Sequence, residues 1–233
     1  MDIYLPANKN EGTKVIILLH GGGWSGGSKV QLNYLIPIVQ EEFPQHAIVN
    51  MDYRLASFDS PAFPKQLEDI EKAIAFIQDS DYNIGTKYAF IGLSAGAHLA
   101  MLHSYKNNSN HTINAVCSIV GPADFTDPFY ARHPYYNYAA MYLLGNSKND
   151  NEAILGISPT NYINPKSPAT LLFYGGKDPV VPQSQATRLK AKLDENGVYN
   201  EYYLYKEGGH SNWNAKAMDT FRQKLVTFLK NRF

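Results

Sequence analysis

The sequence lacks the features that mark several large classes of protein. Its 233 residues include a single cysteine, Cys117, so neither an intramolecular disulfide nor a zinc cluster of cysteines can form. Cys117 lies in the apolar run 115–120, where we expect a buried core thiol rather than a nucleophile. The apolar runs, such as 15–19, are far shorter than the roughly 20 residues of a membrane-spanning helix. We therefore expect no association with a membrane.

Net charge is also absent, because 21 Lys and Arg residues balance 21 Asp and Glu residues. This balance gives no electrostatic reason to expect nucleic acid as a partner. The start of the chain, 1–4, is not of the secretory signal type, so we expect a cytoplasmic protein. The alternative is a secreted protein whose signal peptide has been removed. Triplets 107–109 and 110–112 fit the glycosylation pattern, which is common by chance, and the sequence does not indicate an oligomeric state.

What is present indicates one α/β domain over residues 1–233. Hydrophobic residues make up 44% and charged residues 18%, which excludes a disordered chain. Short apolar runs alternate with amphipathic stretches, and this alternation predicts a mostly parallel, doubly wound sheet with helices on both faces. The predicted strands are 14–19, 47–51, 88–91, 113–120, 170–174 and 201–205. The predicted helices are 30–43 with a bend at Pro37, 65–79, a helix from Ser94 to about residue 105, 184–196 and 214–229.

The stretch Tyr88–Ala100 has the pattern of a nucleophile elbow. An apolar strand, 88–91, passes through Gly92-Leu93-Ser94-Ala95-Gly96 into small and apolar residues suited to a buried helix. Gly-X-Ser-X-Gly between a strand and a helix presents the serine on a tight turn, and the glycines relieve its crowding. The helix N-terminus there favours developing negative charge. The alternative, a chance glycine-rich turn, does not explain the flanking strand and helix.

A second glycine-rich turn follows the strand 14–19 and reads His20-Gly21-Gly22-Gly23-Trp24. Three consecutive glycines let the backbone turn sharply and leave N–H groups uncovered, which is typical of an oxyanion hole. We expect the N–H groups of Gly22, Gly23 and Ala95 to form that hole. A flexible turn or a phosphate loop is the alternative, but the Gly-Lys-Ser/Thr ending of a P-loop is missing. His20 is expected to form a hydrogen bond within the loop rather than to act as a base.

An acid and a histidine follow two later strands. Asp178 stands in Gly-Gly-Lys-Asp-Pro after the strand 170–174, and His210 stands in Glu-Gly-Gly-His after the strand 201–205. The carboxyl ends of parallel strands meet at one edge of a sheet, and Ser…Asp…His is the chain order of the α/β-hydrolases. The sequence therefore predicts a catalytic triad of Ser94, Asp178 and His210, with no metal site.

Three other residues compete for these roles. Asp124 and Asp127 follow the strand 113–120, where some hydrolases place the acid, but Asp178 has the more rigid setting between glycines and a proline. His98 lies four residues beyond Ser94, one helical turn further on, and is expected to point away from the exposed hydroxyl. We therefore expect His98 to have a structural role.

The region 122–168 interrupts the alternation of strands and helices. It is an irregular connection, and its high density of aromatic residues further predicts a small cap-like insertion over a substrate pocket. Trp24 beside the oxyanion loop and Trp213 after His210 are expected to wall that pocket, with ordinary packing as the alternative. The aromatic residues of the insertion include Phe125, Phe129, Tyr130, Tyr135, Tyr136, Tyr138 and Tyr142.

The motifs at 20–24, 52–55 (Asp-Tyr-Arg-Leu) and 92–99 together resemble an α/β-hydrolase of the esterase/lipase group. Gly-Leu-Ser-Ala-Gly-Ala-His-Leu is most similar to bacterial feruloyl/acetylxylan esterases, in a branch that also includes hormone-sensitive-lipase-like carboxylesterases and kynurenine formamidases. The resemblance covers nearly the whole chain and implies the α/β-hydrolase fold. Family members usually have one or more strands before the equivalent of 1–4, so we expect a trimmed sheet edge here.

The resemblance implies a carboxylic ester hydrolase for short acyl or aryl acids, such as acetyl or feruloyl groups, on a small molecule or a carbohydrate. Ser94 would attack the ester to form an acyl-enzyme, with His210 as base and then acid and Asp178 fixing the imidazole tautomer. This chemistry needs no cofactor or metal. The alternatives are an arylformamidase, a small serine peptidase and a non-catalytic binding protein on the same scaffold.

Overall fold

Seven strands form one sheet in the structure, a computed structural model that describes residues 1–108 and 110–233. Their order across the sheet is β1-β3-β2-β4-β5-β6-β7, and β1 is antiparallel to β3 while the other neighbours are parallel. This mostly parallel sheet confirms the predicted fold class. Residue 109 of the triplet 107–109 lies outside the described residues. The strands are β1 Asp2–Tyr4, β2 Val15–Leu19, β3 Ala47–Met51, β4 Tyr88–Leu93, β5 Ile113–Ile119, β6 Ala169–Gly175 and β7 Asn200–Tyr205.

Helices cover both faces of the sheet. They are α1 Leu35–Glu42, α2 Lys65–Gln78, α3 Ala95–Lys106, α4 Tyr136–Leu144, α5 Asn151–Gly156, α6 Gln183–Glu195 and α7 Ala215–Arg232. Short 3-10 turns occur at Lys29–Leu32, Tyr130–Arg132, Gly145–Ser147 and Pro159–Tyr162. Within 1–108 and 110–233, no helix has the length and apolar character needed to cross a bilayer.

The predicted bent helix over 30–43 is wrong. The structure has a 3-10 turn, Lys29–Leu32, and a separate helix α1 that begins at Leu35. Pro37 therefore lies in the first turn of α1, where the backbone N–H groups have no partner within the helix. A proline there removes no helical hydrogen bond, so Pro37 is tolerated without a kink. The interruption between the 3-10 turn and α1 comes before Pro37.

The core lies on both faces of the central strands. Every residue of β2 is fully buried, with Val15, Ile17 and Leu19 on the face covered by α2, α3 and α6, and Ile16 and Leu18 on the face covered by α1 and α7. Continuous apolar runs of this kind are expected of a parallel strand covered on both faces. Burying one such side chain contributes about 1.5–3 kcal/mol, so this core holds the carboxyl edge of the sheet in a fixed position.

The chain between β5 and β6 contains α4 and α5 rather than only irregular backbone. The end of α4 is joined to the segment before α2, because the N–H of Ala62 donates to the carbonyl of Tyr142 at 2.8 Å. The start of α4 is held by Tyr136, whose hydroxyl donates to the carbonyl of Phe125 at 3.1 Å. The region 122–168 is thus packed against the sheet domain. Its role as a cap stays a prediction at this point.

Candidate active site

Ser94 occupies the sharp turn between β4 and α3. Its φ of 51° lies in the left-handed region, which is unfavourable for a residue with a side chain. A Cβ on Gly92 would overlap the backbone of Gly96, and a Cβ on Gly96 would overlap the carbonyl group of Leu19. The glycines of Gly-Leu-Ser-Ala-Gly are therefore required by close approach of the backbone, as expected for this motif.

The structure brings together Ser94, His210 and Asp178 at the carboxyl edge of the sheet. The Nε2 atom of His210 lies 2.8 Å from Ser94 Oγ, and its Nδ1 atom lies 2.8 Å from Asp178 Oδ2. The other carboxylate oxygen accepts the N–H groups of Val180 and Val181 at 2.8 and 2.9 Å. Only 1% of the Asp178 side chain is exposed, against 21% for His210. A carboxylate held in this way keeps the proton of the imidazole on Nδ1, which leaves Nε2 free to accept the serine proton.

Both rival acids have other partners. Asp124 accepts a hydrogen bond from Arg188 Nε at 2.6 Å, and Asp127 accepts one from Gln185 Nε2 at 3.0 Å. The Oε1 atom of Gln185 in turn accepts the N–H group of Asp124 at 2.8 Å. Gln185 was missed by the sequence analysis, since nothing in an amphipathic helix marks one glutamine as buried. These acids hold the start of the region 122–168 against α6, and neither is bonded to His210.

The glycine loop 20–27 lies directly beside the serine. A Cβ on Gly21 would come within 3.3 Å of the Ser94 Cβ, while Gly22 and Gly23 have φ values of 116° and 57°. Within the described residues, no hydrogen bond from the backbone N–H of Gly22, Gly23 or Ala95 is found. Backbone N–H groups without a partner, close to a serine, are the donors that an oxyanion hole requires.

Two side chains that the sequence analysis did not assign to the site fix the start of this loop. The hydroxyl of Tyr53 donates to the carbonyl of His20 at 2.7 Å, and the two rings stack with centroids 4.2 Å apart. The Oε1 atom of Gln31 accepts the N–H of Gly21 at 3.0 Å. His20 itself donates from Nδ1 to the Gly21 carbonyl at 2.6 Å, and burial lowers the pKa of its ring below the usual value. His20 is thus a neutral part of the loop, and Tyr53 gives the Asp-Tyr-Arg-Leu motif a structural reason.

Trp24 and His98 link the end of the loop to α3. The indole N–H of Trp24 donates to His98 Nδ1 at 3.1 Å, and His98 Nε2 donates to the carbonyl of Ile157 at 2.7 Å. His98 is fully buried, and burial lowers its pKa to about 4. Trp24 lines the cavity described next, although only 4% of the residue is exposed. The structural role expected for His98 is therefore seen, and Trp24 acts in packing as well as in the wall.

A cavity of about 650 Å³ opens beside Ser94 and His210, within the usual size range of small-molecule sites. Trp213 lines it and donates its indole N–H to the carbonyl of Gly209 at 3.1 Å, which steadies the loop that carries His210. Lining residues that the sequence analysis missed are Gln31, Tyr34, Leu93, Ile119, Pro122, Ala139, Val180, Val181, Ser211, Met218 and Phe221.

Within the described ranges, no cluster of His, Cys, Asp and Glu is suited to hold a metal ion.

The chain matches a family model and several known proteins. Residues 1–193 match the BD-FAE family. "Esterase LipQ" of Mycobacterium tuberculosis is 24% identical over 231 residues, which cover 91% of this chain and 52% of that protein. The chain thus spans about half the length of the curated relatives that it matches first.

Two solved structures share the fold. One is described as a truncated form of a carbohydrate esterase from gut microbiota, with a TM-score of 0.76, 23% identity and coverage of 97% of this chain and 90% of that one. The other is an acetyl ester-xyloside bifunctional hydrolase from Caldicellulosiruptor lactoaceticus, with a TM-score of 0.76, 20% identity and coverage of 97% and 84%. These likenesses show the α/β-hydrolase fold. Since the family match extends over most of its length, the chain belongs to the BD-FAE family.

Proposed function

We propose that this chain is a serine esterase that cleaves carboxylic esters through an acyl-enzyme. One observation carries the proposal. The imidazole of His210 is within hydrogen-bond distance of both Ser94 Oγ and Asp178 Oδ2, beside a cavity large enough for a substrate. A serine hydroxyl is a weak nucleophile until a base takes its proton, and this arrangement supplies that base.

In the first half of the reaction, Ser94 Oγ forms a bond to the ester carbonyl carbon and its proton moves to His210 Nε2. The buried carboxylate of Asp178 stabilises the resulting imidazolium. The negative charge that develops on the carbonyl oxygen is stabilised by hydrogen bonds from the free N–H groups of Gly22, Gly23 and Ala95. One donor of this kind changes the rate by about 100- to 1,000-fold, so the glycine loop supplies a large share of the catalysis.

The tetrahedral intermediate then collapses. The bond to the alcohol oxygen breaks, and His210 returns its proton to that oxygen, which leaves the acyl group on Ser94. A water molecule gives up a proton to His210 and attacks the acyl carbon. The carboxylic acid departs and the proton returns to Ser94 Oγ, so each group of the triad ends as it began.

Aromatic side chains at the cavity support a substrate with a ring. Tyr34, Tyr135 and Tyr138 line the cavity and still expose 42–45% of their surface, a fraction that is high for aromatic side chains. Such rings pack on the flat face of an aryl group or a sugar. In this proposal the region 122–168, which supplies Tyr135 and Tyr138, is the cap of the site. The substrates are short acyl or aryl esters carried by a carbohydrate. The two solved structures are described as a carbohydrate esterase and an acetyl ester-xyloside bifunctional hydrolase, which supports the carbohydrate part of this proposal.

Replacement of Ser94 by alanine tests the mechanism. We expect S94A to lose at least about a thousandfold of the hydrolysis of p-nitrophenyl acetate and to escape labelling by a fluorophosphonate. The matched control is S104A in the same helix, because Ser104 is buried and its hydroxyl has no hydrogen-bond partner within the described residues. S104A should keep both activity and label. An S94A protein with the activity of the wild type would end the proposal.

A substrate panel tests the class of substrate. It contains p-nitrophenyl esters of increasing acyl length, a feruloyl ester, acetylated xylan and N-formylkynurenine. We expect the highest kcat/KM for acetyl and feruloyl esters and a steep fall with longer chains. A preference for N-formylkynurenine over every ester would replace the esterase assignment by an arylformamidase with the same triad.

A further inference from the structure

Tyr138 of α4 joins two segments that both line the cavity. Its hydroxyl lies 2.7 Å from Ser25 Oγ in the glycine loop. Its ring lies against Gly23, because a Cβ built on that glycine would be 3.0 Å from Tyr138 Cε1. Nothing in the reaction scheme above uses this contact. It covers the residue whose N–H group is proposed to receive the oxyanion.

The glycine loop is anchored to other segments at its two ends, and its middle forms a turn closed by its own backbone hydrogen bonds. At the start, the bond from Gly21 to Gln31 fixes the backbone, as described above. At the end, the carbonyl of Trp24 accepts the N–H of Ala56 at 2.9 Å and the side-chain amide of Gln66 at 2.8 Å. The two glycines between these anchors have no side chains with which to pack. The carbonyl of Gly22 accepts the N–H groups of Ser25 and Gly26 at 3.3 and 2.9 Å. This carbonyl shares a planar peptide unit with the N–H of Gly23, so the turn that Ser25 helps to close sets the direction of that N–H group.

Tyr138 is well placed to hold Ser25 in this turn because α4 is itself firmly held. Ala139 and Leu143 of α4 are buried in the core, and the ring of Tyr142 lies 4.5 Å from that of Tyr138. The backbone of α4 is bonded to Ala62, as described above. Because α4 is fixed by the core, the side chain of Tyr138 can hold the loop that it contacts in a fixed position.

We propose that Tyr138 is a positioning residue for the oxyanion hole, and this inference rests on the function proposed above. Its ring presses on Gly23 and its hydroxyl holds Ser25, so the peptide between the anchors keeps the N–H of Gly23 aimed beside Ser94. The oxyanion forms only in the transition state, so a misaligned donor lowers kcat while substrate binding is left in place. The side chain acts through the loop and takes no part in the proton transfers.

The test is a double-mutant cycle of Y138F and S25A, assayed with p-nitrophenyl acetate. Each single variant removes one partner of the same hydrogen bond, so we expect each to lower kcat by about two- to tenfold with KM within about twofold. The double variant should lose no more than the stronger single variant, since the two changes remove one interaction. Unchanged kcat in Y138F, a change confined to KM, or losses that multiply in the double variant would each overturn the proposal.

A boronic acid provides a readout that a purely structural role would not affect. Its tetrahedral adduct with the serine places an oxygen where the oxyanion forms, so its Ki should rise in Y138F by the same factor by which kcat/KM falls. Y142F, which removes a hydroxyl one turn further along α4 and outside the cavity lining, is the control and should match the wild type. An unchanged boronic acid Ki in Y138F would overturn the positioning role. Such a failure is distinct from failure of the serine mechanism, which the S94A variant decides.

Discussion

Replacement of Asp178 by asparagine probes the proposed triad with almost no change in volume. An asparagine at this position has two orientations. In the first, its oxygen accepts the N–H groups of Val180 and Val181, as one carboxylate oxygen does now, and its NH2 group faces His210 Nδ1. In the second, the oxygen faces His210 and the NH2 group meets two backbone N–H donors.

The backbone decides between the two orientations. The first orientation keeps the two hydrogen bonds from the N–H groups of Val180 and Val181, each of which contributes about 0.5–1.5 kcal/mol. The second keeps only the bond to His210 and places the NH2 group against both of those N–H donors. The first is therefore favoured by at least about 1 kcal/mol. With an NH2 donor facing it, Nδ1 of His210 must accept, so the imidazole proton moves to Nε2 and Ser94 loses its base. A wrong tautomer of this kind lowers kcat by about 10⁴-fold.

The assay is kcat for p-nitrophenyl acetate near neutral pH, with thermal unfolding recorded for the same samples. D178N should unfold within a few degrees of the wild type, since its buried bonds to the backbone remain. D127N is the matched control: Asp127 follows β5, is bonded to Ser184 and Gln185, and is not bonded to His210. D127N should keep kcat within about tenfold. A D178N enzyme within tenfold of the wild type, or an equal loss in D127N, would refute the assignment of the acid.

Two further predictions concern stability. A Cβ on Gly96 would overlap the carbonyl groups of Leu19 and His20, so G96A should lower the free energy of unfolding in urea by about 2–3 kcal/mol; a variant as stable as the wild type would contradict the packing described. Burial lowers the pKa of His98 to about 4, so the unfolded chain binds a proton there that the folded chain does not. The free energy of unfolding should therefore fall by up to about 3 kcal/mol as the pH drops from about 6.5 to 4, and be unaffected by His98 above that window. H98Q should remove this part of the pH dependence in urea titrations, and an unchanged slope would show that other groups cause it.

Local patterns in the sequence were sufficient for the fold class and for the position of the serine. The burial of β2 on both faces follows directly from its unbroken apolar run, and the turn at Ser94 follows from the spacing of its glycines. The boundaries of α2 and α6 also agree with prediction to within one residue, because their apolar faces repeat at helical spacing. The region 30–43 was predicted wrongly, because its helical spacing predicted one helix bent at Pro37. That pattern did not show that α1 begins only at Leu35.

The hydrogen bonds that join distant parts of the chain could not be inferred from local patterns. The bonds of Gln31 to the glycine loop, of Gln185 to the region after β5 and of Tyr138 to Ser25 connect residues 10, 61 and 113 positions apart. Each is formed by a polar side chain of a common type. Their partners depend on how helices lie over the sheet, and single-sequence patterns do not contain that information.

The sequence by itself determined that Ser94, Asp178 and His210 each follow a strand, in that order along the chain. Glycine turns and apolar runs reveal this because they are local consequences of backbone sterics and burial. The sequence also favoured Asp178 as the acid and two tryptophans as walls of the pocket. Only the tertiary structure decided which further rings line the cavity and which side chains support the glycine loop. Hydrogen bonds and cavities of this kind depend on separations of a few ångströms between residues far apart in the chain, and the packing of helices on the sheet sets those separations.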